Sequence, residues 1–259
     1  MRHVVLMLVV ILMWVPEALA QFVGPGGTIP AVANLPGRNG TLWRSDVNVL
    51  NPNLTDTSVV LLLLPEISHG EPAFEPLVTD PIQIPAGTQL TLSNVLQTQF
   101  DLTNTKGGLT VFSLDGAPVV ISSRTYTVAP EGGSFGQEVA GQLVSSRGWV
   151  SGVRHDSLFR TNVGVYLPVD PEPESAAVFA VTVFSADGTE VASGSILFET
   201  AGLQQRSLDA FGVDGLLDGY AVITCSDPSF AWYGYASIVD QLTGDPVYRA
   251  VIGRQSDLP

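Results

Sequence analysis

The chain carries one strand-like phrase twice, as Leu42-Trp-Arg-Ser-Asp-Val-Asn-Val-Leu50 and as Leu158-Phe-Arg-Thr-Asn-Val-Gly-Val-Tyr166. Every position is identical or chemically close except one, where Gly164 stands opposite Asn48, and Pro52 and Pro168 follow at the same distance. Ala86-Gly-Thr-Gln89 then matches Ala201-Gly-Leu-Gln204, and Gly108-Leu-Thr-Val-Phe-Ser113 matches Gly219-Tyr-Ala-Val-Ile-Thr224. Three matches in the same order, with small drifts between them, describe a duplicated unit with loop insertions. A chain of 259 residues that repeats itself must use a fold that can be built twice, at ordinary domain size.

Residues 1–20 stand apart from both copies. Arg2 and His3 precede an apolar run from Val4 to Val15, Pro16 breaks it, and Ala18-Leu19-Ala20 supplies small residues at a cleavage point. That is the build of a secretory signal peptide, with Gln21 as the new N-terminus. The run falls well short of the roughly 20 residues that span a bilayer. The expected organisation is therefore a leader over 1–20, one β-sandwich domain over 21–140 and a second over 141–259, in a protein exported to the periplasm or beyond the cell. The segment from Gly141 to Gly148 is the natural boundary, although Trp149 to Asp156 has the character of a lead-in to the second unit, as Ala33 to Arg38 has for the first.

Within each copy the apolar pattern has a period of two, the signature of half-buried strands. Val59 to Leu64 is a continuous apolar run ending at Pro65, as expected of a strand covered on both faces. Asp187-Gly188 between Ala177–Ser185 and Glu190–Phe198 is a hairpin signal, and Asp115-Gly116 suggests the same arrangement in the first copy. Short helical pieces fit only Leu92–Gln99 and Leu208–Phe211. The expected fold class is all-β: two tandem antiparallel sandwiches of the immunoglobulin kind. A barrel spanning both copies is the rival, and duplication argues against it, since a unit holding all its strands can bury its own apolar faces.

Composition narrows the partners. Against 25 Asp and Glu there are 11 Lys and Arg, a formal charge of −14, and the basic residues form no run. Nucleic-acid binding, which depends on clustered cations to neutralise phosphates, is excluded on that basis. Protein and glycan partners stay open, and the oligomeric state is not legible. Only Cys225 is present, so no internal disulfide can form despite the exported compartment. It falls in an apolar strand beside Asp218 and Asp227, the setting of an inert thiol.

Catalytic constellations are sparse. Gly132-Gly-Ser-Phe-Gly136 fits G-x-S-x-G, but no helical period follows Ser134, as a nucleophile elbow requires. His155-Asp156 reads as a solvated pair before a strand, and His69 as exposed in a Pro- and Glu-rich insertion. Calcium takes several oxygen ligands, and Asp209, Asp214 and Asp218 form the best cluster for it, without EF-hand spacing. Apart from that option no cofactor is expected. Aromatic side chains offer the other route to a ligand: in Phe230-Ala-Trp-Tyr-Gly-Tyr235, one face carries Trp232 and the other Tyr233 and Tyr235, so one face is core and the other a candidate platform. Trp43, the counterpart of Phe159, is assigned to the core, and Arg44 and Arg160 to ion pairs within their own units.

Ile29-Pro-Ala-Val32, Trp43-Arg-Ser-Asp-Val47 and Asn51-Pro52 together resemble secreted bacterial proteins with tandem immunoglobulin-like modules and an F/W-R-T-[DN]-[LV]-x-[LV]-x-N-P pattern. Phe159 to Val165 fits the same pattern, with Leu167 in place of the Asn before Pro168. The resemblance covers nearly all of the exported chain and implies export and architecture, with no catalytic residues to carry over. The expected function is a non-enzymatic structural, adhesive or protein-interaction unit of the cell envelope or exterior. The alternative is a carbohydrate-binding accessory protein using surface aromatics.

Overall fold

The computed structural model describes residues 22–37, 40–67, 75–129, 132–172 and 175–253; the leader and His69 lie outside them. The first half contains β1 (Phe22–Gly24), β2 (Gly26–Pro36), β3 (Leu42–Leu50), β4 (Thr57–Pro65), β5 (Leu77–Val78), β6 (Ile82–Ile84), β7 (Gln89–Leu92), a short helix α1 (Val95–Phe100), β8 (Thr105–Ser113), β9 (Val119–Val128) and β10 (Ser134–Glu138). The second contains β11 (Leu143–Val144), β12 (Arg147–His155), β13 (Phe159–Leu167), β14 (Ala177–Ser185), β15 (Glu190–Phe198), β16 (Gly202–Ser207), a 3-10 turn (Leu208–Phe211), β17 (Leu216–Cys225), β18 (Trp232–Asp240), β19 (Pro246–Ala250) and β20 (Ile252–Gly253). The protein is all-β with antiparallel sheets, and among the described residues no sheet closes into a barrel.

The same topology occurs twice. In the second half, β18-β13-β16 faces β15-β14-β17-β12-β20 across a core holding Val163, Val165 and Trp232 from one sheet and Phe179, Val181 and Ile223 from the other. The first half repeats this as β9-β3-β7 and β4-β8-β2 around Val47, Val49, Val59, Leu61, Leu109 and Val111. There, the end of β2 pairs with both β8 and β3, fusing the layers into one folded sheet. Residues as early as Leu143 and Val144 pair with β18, so the lead-in belongs to the second half.

Pairing register corrects the later sequence matches. Leu109 and Val111 point into one core, as Ala221 and Ile223 point into the other. The equivalent of Gly219 is therefore Gly107, not Gly108. Both Gly107 and Gly219 lie against a cross-strand carbonyl, of Leu64 and Phe184, where a Cβ would not fit. Likewise Leu203 answers to Gln89, because Leu203 pairs with Tyr166 and Gln89 with Leu50. A one-residue slip moves every side chain to the opposite face, and sequence similarity alone does not register it.

Asp187-Gly188 makes the expected hairpin between β14 and β15, with Gly188 at φ +87°. Asp115-Gly116 does not. Its flanking strands, β8 and β9, pair with different partners, so this turn crosses between layers. The Asp115 carboxylate anchors the crossing by accepting from Ser113 Oγ at 2.6 Å, Thr57 Oγ1 at 2.7 Å and the Ala117 amide at 3.1 Å.

The halves are joined by a third apolar cluster. Leu64 of β4, with Ala31 and Leu62 around it, packs on Tyr166, Leu203, Ala201 and Tyr235 from the second half. Tyr166 and Leu203 are fully buried, and a leucine so removed from water contributes about 1.5–3 kcal/mol. Leu62 and Leu64 explain the continuous apolar run of β4: one face meets its own core and the other meets the second half. The chain leaving β4 continues across the junction, where the Ile67 amide donates to the Leu203 carbonyl at 2.9 Å and Ile67 joins the second core. This covers the edge of β16, which would otherwise present unpaired backbone.

Two glycines make the junction possible. A Cβ on Gly108 would overlap the Tyr166 ring, and one on Gly164 would overlap the Tyr235 ring. Gly164 is the one departure within the repeated phrase. Its counterpart Asn48 instead accepts from Thr91 Oγ1 at 2.8 Å on a polar surface. Gly164→Asn, which writes the first-half residue into the second, is expected to cost about 1–3 kcal/mol in chemical denaturation. Asn48→Gly is expected to cost no more than about 1 kcal/mol, as strand glycine entropy dictates. Equal effects at the two positions would remove Gly164 from the junction.

Candidate functional site

A groove between the halves has the form of a ligand site. A cavity of about 360 Å³ is walled by Trp43, Tyr235 and Tyr248, with the polar side chains of Gln137, Gln205 and Arg160 at its edge. It adjoins a second hollow of about 290 Å³, and the two share Trp43, Arg160 and Val239. Trp43 comes from the first copy of the repeated phrase and Arg160 from the second, so duplication brings the two copies to one place. The outer hollow is rimmed by Val128 and Phe135 from the β9–β10 hairpin and by Leu242 from the β18–β19 turn, all exposed. Pockets at the junction of two units, apolar with a few convergent polar groups, are the ordinary form of a binding site.

Polar groups around the cavity are partly committed. The Tyr235 hydroxyl donates to Gln205 Oε1 at 2.7 Å, and the Tyr248 hydroxyl to the Ala140 carbonyl at 2.9 Å. Their rings stack with centroids 5.5 Å apart. Gln137 Oε1 is buried at the cavity wall without a hydrogen-bond donor. Lys106 is held by Glu66 at 2.9 Å.

The aromatic platform expected at Trp232, Tyr233 and Tyr235 is not a surface. Trp232 lies wholly in the second core, its ring edge-on to Phe179 and its indole N–H donating to the Ser145 carbonyl at 2.7 Å. Tyr235 is 2% exposed, and Tyr233, half-buried, packs 6.2 Å from Tyr166 in the junction. The second face of this strand is covered, as the sequence allowed, but by the other half of the same chain.

The acidic cluster is not brought together either. Asp209 Oδ1 meets His155 Nε2 at 2.9 Å, and its Oδ2 accepts from Ser207 Oγ at 2.6 Å. Asp214 and Asp218 are exposed, and among the described residues no three His, Cys, Asp or Glu side chains converge on a point that could hold a metal ion.

His155 is the main surprise among titratable groups. It is buried, at 6% exposure, and faces Asp209 rather than its neighbour Asp156. The pair looks like a base with its orienting carboxylate, yet Nδ1 accepts the Thr161 backbone N–H at 3.0 Å. That bond fixes the tautomer, with the ring proton on Nε2 directed at Asp209, and leaves no lone pair to take a proton from a substrate. Thr161 Oγ1 in turn donates to the Arg154 carbonyl. In the first half, Ser45 occupies the position of Thr161. Its Oγ accepts the Ala33 N–H at 2.8 Å and lies 2.6 Å from Thr125 Oγ1. The hydroxyl in the repeated phrase therefore ties β3 to β2, and β13 to β12, beside an irregularity in each first strand.

Ser134 sits in edge strand β10 and accepts from the Arg124 guanidinium at 2.6 Å. No helix follows it, as the sequence led one to expect. Cys225 is buried, and burial pushes its thiol up from the ordinary value. Trp43, expected in the core, instead lines the groove. The signal the sequence carries for it is apolar residues, Phe135 and Leu242, set beside glycine-containing turns.

No model of a known protein family matches the chain, and no curated protein matches it.

His155→Ala is expected to lower stability by about 1–3 kcal/mol, since it strands the Thr161 N–H. Asp209→Asn, at an exposed position, should change it by under about 1 kcal/mol. Thermal melts of both variants check this, and equal losses would contradict the assigned hierarchy. A second expectation concerns alkaline pH. Burial raises the Tyr166 phenol to about 12 and holds Tyr235 and Tyr248 well above the ordinary tyrosine value. Unfolded tyrosines lose their proton near pH 10 while these three keep theirs. The unfolded state then binds fewer protons, so this contribution is complete below about pH 10 and declines from there to pH 12 and beyond. Phenolate absorbance should show two tyrosines, Tyr235 and Tyr248, ionising only as the protein unfolds, and Tyr166 no earlier than about pH 12.

Proposed function

We propose that this is an exported, non-enzymatic protein made of two duplicated immunoglobulin-like modules fixed in one body. It serves as a structural, adhesive or protein-interaction unit of the bacterial cell envelope or exterior. The observation that carries this reading is that the buried hydroxyls of the repeated phrases, and the histidine just before the second, are spent on the fold. Ser45 and Thr161 tie adjacent strands, and His155 has both ring nitrogens engaged. The contact surface in this proposal is the groove lined by Trp43, with Phe135 and Leu242 at its rim. Aromatic anchors in a partly desolvated groove are the usual centre of binding energy.

A glycan is the second reading, favoured by one observation: Trp43 shares the cavity with amide side chains and with the unpartnered Gln137 Oε1, a combination suited to stacking and hydroxyl recognition. In this form the ligand lies at Trp43 and not at Trp232.

The test uses the exported chain, fluorescently labelled, added to intact cells and to a glycan array. Saturable binding is expected, weakened about tenfold or more by Trp43→Ala, the range of an aromatic hot spot, and unchanged in Ser134→Ala. Binding to cells but not to the array selects the protein partner. Ester or glycoside hydrolysis that disappears in Ser134→Ala or His155→Ala would overturn the non-enzymatic reading.

A further inference from the structure

One position of the repeated phrase is polar in both copies but differs in what it bonds. In the first copy, Asp46 of β3 accepts the Asn94 amide at 2.8 Å. Its counterpart in the second, Asn162 of β13, is 8% exposed and makes no side-chain hydrogen bond among the described residues. It lines the cavity at Trp43 instead. An amide buried without a partner costs free energy, so the stability of the fold does not account for Asn162.

Two further carboxamides line the same cavity. Gln137, on strand β10 of the first half, has its Oε1 buried at the wall, and its side chain is likewise without a hydrogen bond among the described residues. Gln205 of β16 accepts the Tyr235 hydroxyl at Oε1 and keeps its Nε2 open. Amide groups with spare hydrogen-bonding capacity, from both halves, thus converge on about 360 Å³ beside the Trp43 ring. Native proteins leave few such groups unsatisfied, and their concentration in one hollow points to a ligand that completes them.

We infer that this cavity is a subsite for a neutral oligosaccharide, in which Asn162, Gln137 and Gln205 bind ring hydroxyls and Trp43 stacks on a sugar face. The inference rests on the glycan reading of the groove and adds to it the class of sugar and the residues that select it. A carboxamide offers an acceptor and two donors side by side, and neighbouring sugar hydroxyls, each both donor and acceptor, answer that pattern. The indole supplies the apolar surface that a sugar ring face requires. Charge disfavours an amine-bearing ligand, which would find no counter-ion: no carboxylate lines the cavity, in a chain with 25 Asp and Glu. Lys106 at the wall is already held by Glu66. A peptide, the competing occupant, is ordinarily gripped by the backbone of a sheet edge, whereas the open polar groups in this cavity are side chains.

Isothermal titration calorimetry of the exported chain tests this, with hexamers of glucose, mannose, xylose and N-acetylglucosamine and with an acidic galacturonate hexamer as probes. At least one neutral hexamer is expected to bind, with affinity lowered about tenfold or more by Asn162→Leu and by Gln137→Met, which nearly keep side-chain size and remove the amide. Both variants should keep or raise the melting temperature, since neither amide is bonded within the protein; a fall in both would mark the amides as structural and overturn the proposal. Binding lost in Trp43→Ala but retained in both amide variants would overturn the role of the amides while the glycan reading stands, and a preference for galacturonate would overturn the neutral class in the same way. Failure of every hexamer to bind would overturn the proposal, the cavity then holding water alone; saturable binding on the glycan array would in that case preserve the glycan reading, and its absence would end both.

Discussion

Two tyrosine rings lying on two glycines hold this molecule together. Tyr166 crosses from the second half onto Gly108 of the first, and Tyr235, seated over Gly164 within the second half's own sheet, lies beside it, with Leu64 and Leu203 closing the cluster. Close packing of this kind tolerates little extra volume, because overpacking forces side chains off their rotamers. The halves therefore have one well-defined way to dock, and the groove at Trp43 inherits its shape from it.

The repeated phrase serves different purposes on its two faces. Its inward positions, Val47 and Val49 or Val163 and Val165, supply the cores, and its buried hydroxyl, Ser45 or Thr161, takes up backbone polar groups where the neighbouring strand is irregular. Burying backbone amides and carbonyls without partners is costly, which explains why a hydroxyl recurs at this position in both copies. Its outward positions have diverged. Asn48 lies on a polar surface in one copy, and Gly164 lies under the Tyr235 ring in the second. Duplication supplied two equivalent surfaces, and the junction uses only one of them.

That asymmetry organises what the molecule offers to partners. The groove combines a tryptophan from one copy with an arginine from the other, a composite site that neither half possesses alone. The outer face with Trp149 and Tyr220 is a separate feature, on the sheet of the second half that lies away from the junction. Carboxylates such as Asp115 and Asp187 are occupied in turns, where they accept from Ser and Thr hydroxyls and backbone amides. The acidity of the chain is therefore tied to its many strand connections as well as to its solubility.

Period-two patterning and the duplicated phrase determined the all-β class, the main strands and the hairpin at Asp187-Gly188, because alternation and turn chemistry are local. The Asp115-Gly116 connection had the same local signal and became a crossing between layers, since which strands pair is decided by packing at a distance. Face assignment in β8 and β17 failed by one residue for a related reason: side-chain similarity is blind to the register that hydrogen bonding imposes. Tyr235 and His155 show the limit most directly. The sequence placed Tyr235 on a strand face opposite Trp232, and that was right. Only the tertiary structure put another half of the chain against that face, and only it set Asp209 on one nitrogen of His155 and the Thr161 amide on the other.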